Sequence, residues 1–229
     1  MRLSIGLKLF IAYFVISSGI VWVVTDKMSN RLTKGIDEAA EEVMIDASNL
    51  LAQMVSNNIK YDQINTNKVH TLISGYLDRE LDADIYSVTK KNPNLQVYIT
   101  NKKGIVIYDS TGKREGKDYS QWNDVYDTLK GKYGKRSSAF DPAVKEPTSD
   151  QKAMYVAAPI YHDNQIFGVL TTVKSTIDLK PFVLEQKKQV NKYAIYLFLI
   201  SLLFGAGASF AVSRGTNKLI KYTTALSKG

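Results

Sequence analysis

The residues able to do chemistry are few. The chain has no cysteine, which removes a thiol nucleophile, a thiolate metal site and any disulfide framework, and which fits an oxidising compartment. Its two histidines, His70 and His162, lie far apart in sequence and neither precedes a glutamate. No Gly-x-Ser-x-Gly elbow, zinc-ligand pair or coherent triad can be assembled. Residues 111–119 (TGKREGKDY) are rich in glycine and lysine, but neither Lys113 nor Lys117 is followed by Ser or Thr, so this is no phosphate-binding P-loop. Asp78, Glu80, Asp82 and Asp84 alternate as in a calcium loop, without its turn glycine or distal glutamate. Asp37, Glu38, Glu41, Glu42 and Asp46 are spaced as the solvated side of a helix rather than as a cation site. Neither a catalytic centre nor a metal site is expected.

The elements that carry these residues are organised by residues 193–213 (YAIYLFLISLLFGAGASFAVS), 21 residues without charge or proline. About 20 apolar residues at ~1.5 Å each cross a hydrocarbon layer of roughly 30 Å. A second uncharged run, residues 9–25, follows a basic lead of residues 1–8. It fits an uncleaved span better than a signal-peptide core, since no small-x-small cleavage site follows and Trp22 suits an interfacial anchor. Net charge is +8, and Arg2, Lys8, Arg214, Lys218, Lys221 and Lys228 sit on the two flanks with no acid among them. That is the positive-inside bias of cytoplasmic ends, not a nucleic-acid footprint. The expected plan is a cytoplasmic lead (1–8), a first span (9–25), an extracytoplasmic domain (26–192), a second span (193–213) and a short linker (214–229). Gly205 and Ser209 form a small-xxx-small pattern that suits close helix approach, and a homodimer is expected.

Between the spans, Met28, Leu32, Ile36, Ala39, Val43, Ala47, Leu50 and Met54 recur at helical spacing, extending the first span as one long helix to about residue 59. Residues 65–81 make a shorter helix. Strands are predicted over 95–100 and 105–110, joined by the turn NKKG with Gly104 for positive φ, and over 136–140, 153–161 and 166–173. Ser120 caps a helix over 121–129, with Trp122, Val125, Tyr126 and Leu129 on one face. Ser175, Asp178 and Pro181 start the helix that runs into the second span. One antiparallel sheet with helices on a face is an α+β domain.

The hairpin of residues 97–110 (VYITNKKGIVIYDS) resembles the strand–turn–strand signature of Cache (PAS-like) sensor domains of bacterial two-pass receptors. Residues 116–125 (GKDYSQWNDV), with Leu129, Gly131, Tyr133, Gly134, Arg136, Ser137 and the stretch 154–160 (MYVAAPI), resemble the sensor half of CreC-type histidine kinases. The resemblance implies a Cache/PAS-like sheet with a long N-terminal helix, and a place in the bacterial inner membrane with both termini cytoplasmic. It also implies a role as the signal-sensing module of a two-component kinase, working with a response regulator. Such kinases use ATP and Mg in a part not seen in these residues: residues 214–229 look like the first HAMP helix only, with Leu219, Tyr222 and Leu226 at heptad-like spacing. The same sensor in a chemoreceptor or a diguanylate cyclase, or a stand-alone two-pass binding protein, remains an alternative. In domains of this kind a ligand pocket lies between the sheet and the segment joining its second and third strands. That points to Trp122, Tyr126 and Arg136 from the segment and Tyr98 and Tyr155 from strands. Aromatics offer stacking surface and Arg136 a bidentate clamp for a carboxylate or phosphate. Core packing competes with ligand contact for the aromatics, and a buried arginine needs an anionic partner.

Overall fold

The computed structural model describes residues 5–60, 63–85, 88–148 and 151–226. It divides into two units, residues 1–34 with 184–229 and residues 35–183. Two helices supply the first unit. Helix α1 (Ile5–Ser56) and helix α4 (Lys180–Leu226) are both long and apolar enough to cross a membrane. No proline or paired glycine breaks either apolar stretch, so each runs on as one helix. In this unit the two helices meet through small and polar residues. Tyr13 Oη and Ser201 Oγ are 2.7 Å apart, Ser209 Oγ donates to the Gly6 carbonyl at 2.6 Å, and Phe14 meets Phe198 edge-on at 5.8 Å. Gly205 lies against the ring of Tyr13, where a Cβ would collide. The small residues noted in the sequence are thus used between two helices of one chain, where such residues let backbones approach.

The second unit is built on a five-stranded antiparallel sheet in the order β6-β5-β9-β8-β7. Its strands are β5 (Gln96–Asn101), β6 (Val106–Asp109), β7 (Gly134–Ala139), β8 (Lys152–His162) and β9 (Gln165–Ser175). Gly104, expected from the sequence to take positive φ, closes the β5–β6 turn at φ 80°, and Asp163 and Asn164 close the β8–β9 turn at φ 48° and 61°. Two small ribbons, β1–β2 (Ile59–Lys60 with Gln63–Ile64) and β3–β4 (Ala83–Ile85 with Val88–Lys90), lie outside this sheet. A 3-10 turn at Thr176–Asp178, capped by Ser175 Oγ, passes the chain from β9 to α4. The expected α+β arrangement, an antiparallel sheet with a long N-terminal helix and two apolar helices, is the one observed.

Both faces of the sheet are covered, where the sequence suggested helices on one face. Val97 and Ile99 alternate with Tyr98 along β5, so one strand feeds two cores. On one face Val97, Ile99, Ala158, Ile160 and Leu170 pack with Ala52 and Val55 of α1 and Val69 and Ile73 of α2 (Thr66–Leu77). On the other, Tyr98, Tyr155, Ala157, Val169 and Val173 pack with Val125 of α3 (Asn123–Leu129) and with Tyr119.

Two boundaries and one buried face differ from the sequence reading. Helix α2 stops at Leu77, and Asn65 is its cap, accepting from the Lys68 N–H. Helix α3 begins at Asn123 with Trp122 as N-cap, and makes no side-chain cap bond there, so Ser120 is not its cap. Along α1 the buried face holds Met44, Ser48, Ala52 and Val55, while Val43, Leu50 and Met54 are exposed. Two apolar stripes run side by side on this helix. The one with serine and alanine lies on the sheet, because small side chains let the backbone come close.

Gly134 shows how tightly the second face is closed: a Cβ there would strike the Asp124 carbonyl and Thr128 Oγ1, whereas one at Gly75, on the outer side of α2, meets nothing within 4 Å. Gly134→Ala is expected to destabilise the chain by about 2–3 kcal/mol through overpacking. Gly75→Ala should stabilise it by about 0.5–1 kcal/mol through helix propensity. Urea melts of the detergent-solubilised chain check both, and equal effects would contradict the packing described.

Candidate functional site

The register of the sheet assembles the site. Arg136 on β7 pairs with Tyr155 on β8, and Tyr98 on β5 pairs with Thr171 on β9. These four project from the α3 face, and α3 is held against β7 by the short connection through Gly134. Asp124 therefore reaches the sheet from the first turn of α3, and it is wholly buried.

Arg136 Nε donates to Asp124 Oδ1 at 2.6 Å, and the Tyr98 hydroxyl donates to Asp124 Oδ2. Thr171 Oγ1 lies 3.4 Å from the same oxygen, and Arg136 Nη2 lies 3.4 Å from Tyr98 Oη. Aromatic rings sandwich the guanidinium, with its carbon 3.7 Å from the Tyr155 ring centre and 4.2 Å from that of Trp122; Tyr119 stands at 5.6 Å. A cation over ring faces with little water nearby gains more than at an exposed site. Burial and the adjacent Asp124 push the Tyr98 hydroxyl well above its ordinary pKa, so it stays protonated and donates. Burial alone would lower the Arg136 pKa, but Tyr98 and Asp124 outweigh it and raise it. The group is a fixed cation with its anion supplied from within.

Of the five residues singled out in the sequence, Tyr98, Trp122, Arg136 and Tyr155 come together here. Tyr126 does not join them: it is 39% exposed, and the Lys130 ammonium lies over its ring at 3.7 Å and bonds its hydroxyl. The sequence reading missed Asp124, although it sits two residues after Trp122 in the segment thought to line a pocket. It also missed a second buried cation. Arg114, 1% exposed, bonds Asp109 Oδ1 at 3.1 Å, Gln96 Oε1 at 2.8 Å and the Phe140 carbonyl at 2.9 Å. Its guanidinium lies 6.0 Å from the Tyr98 ring centre, so Tyr98 stands between two arginines. The only signal of Arg114 was its place in a loop that had been read for phosphate binding alone. Among the described residues, no group of three His, Asp or Glu is placed to hold a metal ion.

Next to Arg136 on β7, Lys135 turns to the opposite side. Its Nζ bonds Glu41 Oε1 of α1 at 2.7 Å, and Tyr133 Oη donates to the same oxygen at 2.7 Å. The Lys135 bond holds the Glu41 carboxyl below its ordinary pKa.

The Escherichia coli (strain K12) protein named Sensor protein CreC is 30% identical to this chain over 220 residues, covering 96% of the chain and 46% of CreC. The chain thus spans about half the length of the curated relative that it matches. The resemblance to CreC-type sensors drawn from residues 116–125 and 154–160 is borne out by this match. No protein-family model matches. Among solved structures, the ligand-binding domain of the Campylobacter jejuni chemoreceptor Tlp3 with L-norvaline aligns at TM-score 0.49 and 18% identity, covering 72% of this chain and 63% of that one. The V. cholerae histidine kinase DctB sensor domain aligns at TM-score 0.32 and 16% identity, covering 80% and 56%.

Removing one partner of a buried pair strands the other charge. Asp124→Ala and Arg136→Ala are each expected to cost about 3–5 kcal/mol, and the double variant at least ~0.5 kcal/mol less than their sum. Lys135→Ala, which removes the more exposed partner of its pair, should cost about 1 kcal/mol or less. Because the Glu41 pKa is depressed, that smaller contribution is present above the ordinary glutamate pKa and fades as pH falls through the depressed value. A double-mutant cycle by urea unfolding checks the pairing, and strict additivity would refute it.

Proposed function

We propose that this relative of CreC is the sensing and membrane-crossing part of a two-component histidine kinase of the bacterial inner membrane. The chain is a transmembrane sensing module. In this reading residues 1–8 and 214–229 are cytoplasmic, residues 9–25 and 193–213 span the bilayer, and residues 26–192 face the periplasm. The observation that carries the proposal is the sequence relationship to CreC along 96% of the chain. The basic, acid-free flanks support the orientation. The output is autophosphorylation with ATP and Mg in a following kinase part, and phosphoryl transfer to a response regulator. The functional unit is a homodimer, a reading supported by the exposed stripe of Val43, Leu50 and Met54 on α1.

Tyr98, Trp122, Arg136 and Tyr155, with Tyr126 at the margin, form the place where a small-molecule or envelope signal acts on the domain. Trp122 is 40% exposed and gives an entering ligand a ring to meet. An anionic ligand has to compete with Asp124 for the guanidinium. A stimulus that loosens this pair frees β7, whose Lys135 holds α1 through Glu41. This is a population shift between two arrangements of strand and helix.

The orientation is tested with reporter fusions in living cells. Alkaline phosphatase inserted after Lys145 should be active, and the same enzyme fused after Gly229 inactive. The reverse pattern would overturn the proposal. Joined in frame to a histidine-kinase output, the chain with Asp124→Asn should show a basal phosphotransfer rate at least about threefold different from the parent, a change of roughly 0.7 kcal/mol in the signalling equilibrium.

A further inference from the structure

At the end of the sheet away from Ser175 and the start of α4, two tight turns and the β1–β2 ribbon surround a cup of about 730 Å3. That volume suits a ligand of one or two rings. Its floor is apolar, formed by Ile64, Ile107, Ile166 and Phe167. Ile64 and Ile107 are packed on the α1–α2 core, which fixes the floor, and the Phe167 ring meets that of His162 edge-on at 5.6 Å. The rim carries the side-chain amides of Gln63 and Gln165 and the ammonium groups of Lys102 and Lys103.

Both turns are fixed locally. Asn101 Oδ1 accepts the N–H groups of Lys103 at 2.9 Å and Ile105 at 3.1 Å, which sets the turn that presents both lysines. Across the cup, Asp163 and Asn164 hold the left-handed angles of a two-residue hairpin turn. Neither Lys102 nor Lys103 has an ion-pair partner among the described residues. Among the described residues the one carboxylate lining the cup, Asp163, is 3.8 Å from His162 Nε2, and its side chain is 90% exposed. Among the described residues, positive charge therefore prevails at the rim.

Each part has a chemical counterpart. An apolar floor with an aromatic ring receives the C–H face of a pyranose. Side-chain amides donate to and accept from its hydroxyls. Two adjacent ammonium groups receive an anion as point charges. We infer that this cup binds a sugar bearing a negative charge, either a sugar acid or a sugar phosphate. The inference goes beyond the signalling role, because it assigns a ligand class to residues remote from Arg136, and its test reads binding without any kinase output.

The full chain in lipid nanodiscs is titrated calorimetrically with glucuronic acid, glucose 6-phosphate, glucose and inorganic phosphate. At least one charged sugar should bind at least ten times more tightly than either glucose or inorganic phosphate, and the stronger of the two tells carboxylate from phosphate. Lys102→Gln with Lys103→Gln, both on an exposed turn, should weaken that sugar at least tenfold while leaving the melting temperature of the unliganded chain unchanged. The inference is overturned if neither charged sugar binds, if glucose or inorganic phosphate binds as well, or if the double variant binds undiminished.

Discussion

A guanidinium and a carboxylate taken out of water at Arg136 and Asp124 set the terms for the second face of the sheet. Removing two such ions from water costs several kcal/mol each, and only good geometry with every remaining hydrogen-bonding atom engaged offsets that cost. The surroundings meet the demand from several elements at once: the Tyr98 hydroxyl and Thr171 reach Asp124, while Tyr155 and Trp122 cover the faces of the guanidinium. Each comes from a different strand or helix, so the pair is in register only when β5, β7, β8, β9 and α3 are all in place. The contact adds little net stability against an apolar core, and its main effect is to specify one arrangement of α3 on the sheet.

Arg114 repeats the logic one layer away. Its partners come from β5, β6 and the end of β7's strand–loop segment, and its Nε is without a hydrogen-bond partner among the described residues. A protein selected for stability alone would fill this space with leucine and isoleucine. Two buried arginines around one tyrosine instead make a core whose energy depends on electrostatic geometry, and so on small displacements.

Features that depend on neighbours in the chain were legible from the sequence. The two helices apolar enough to cross a membrane follow from long uncharged runs, and the β5–β6 hairpin follows from Gly104. Features that depend on which of two faces is used were not. Val43, Leu50 and Met54 have the spacing of a core stripe and are exposed, because the neighbouring stripe of Met44, Ser48, Ala52 and Val55 lets α1 lie closer to the sheet. The need of Arg136 for an anion was visible, but Asp124 was not identifiable as that anion. The pairing is made by the approach of α3 to β7, which turns on the missing side chain of Gly134.

The same geometry gives the site a route outward. Successive residues of a strand point to opposite sides, so Arg136 faces α3 while Lys135 faces Glu41 of α1. A shift of β7 along its axis would move both contacts together. The two differ in what breaking them costs, since one is buried and surrounded by rings and the other has its lysine more than half exposed. The buried pair therefore sets where β7 sits, and the exposed pair follows it. A stimulus acting on Lys135 or Glu41 would be absorbed by solvent and side-chain rotation, whereas one acting on Asp124 or Arg136 has to be taken up by the backbone of the strand. That asymmetry is why the position of β7 is set from the α3 face of the sheet rather than from α1.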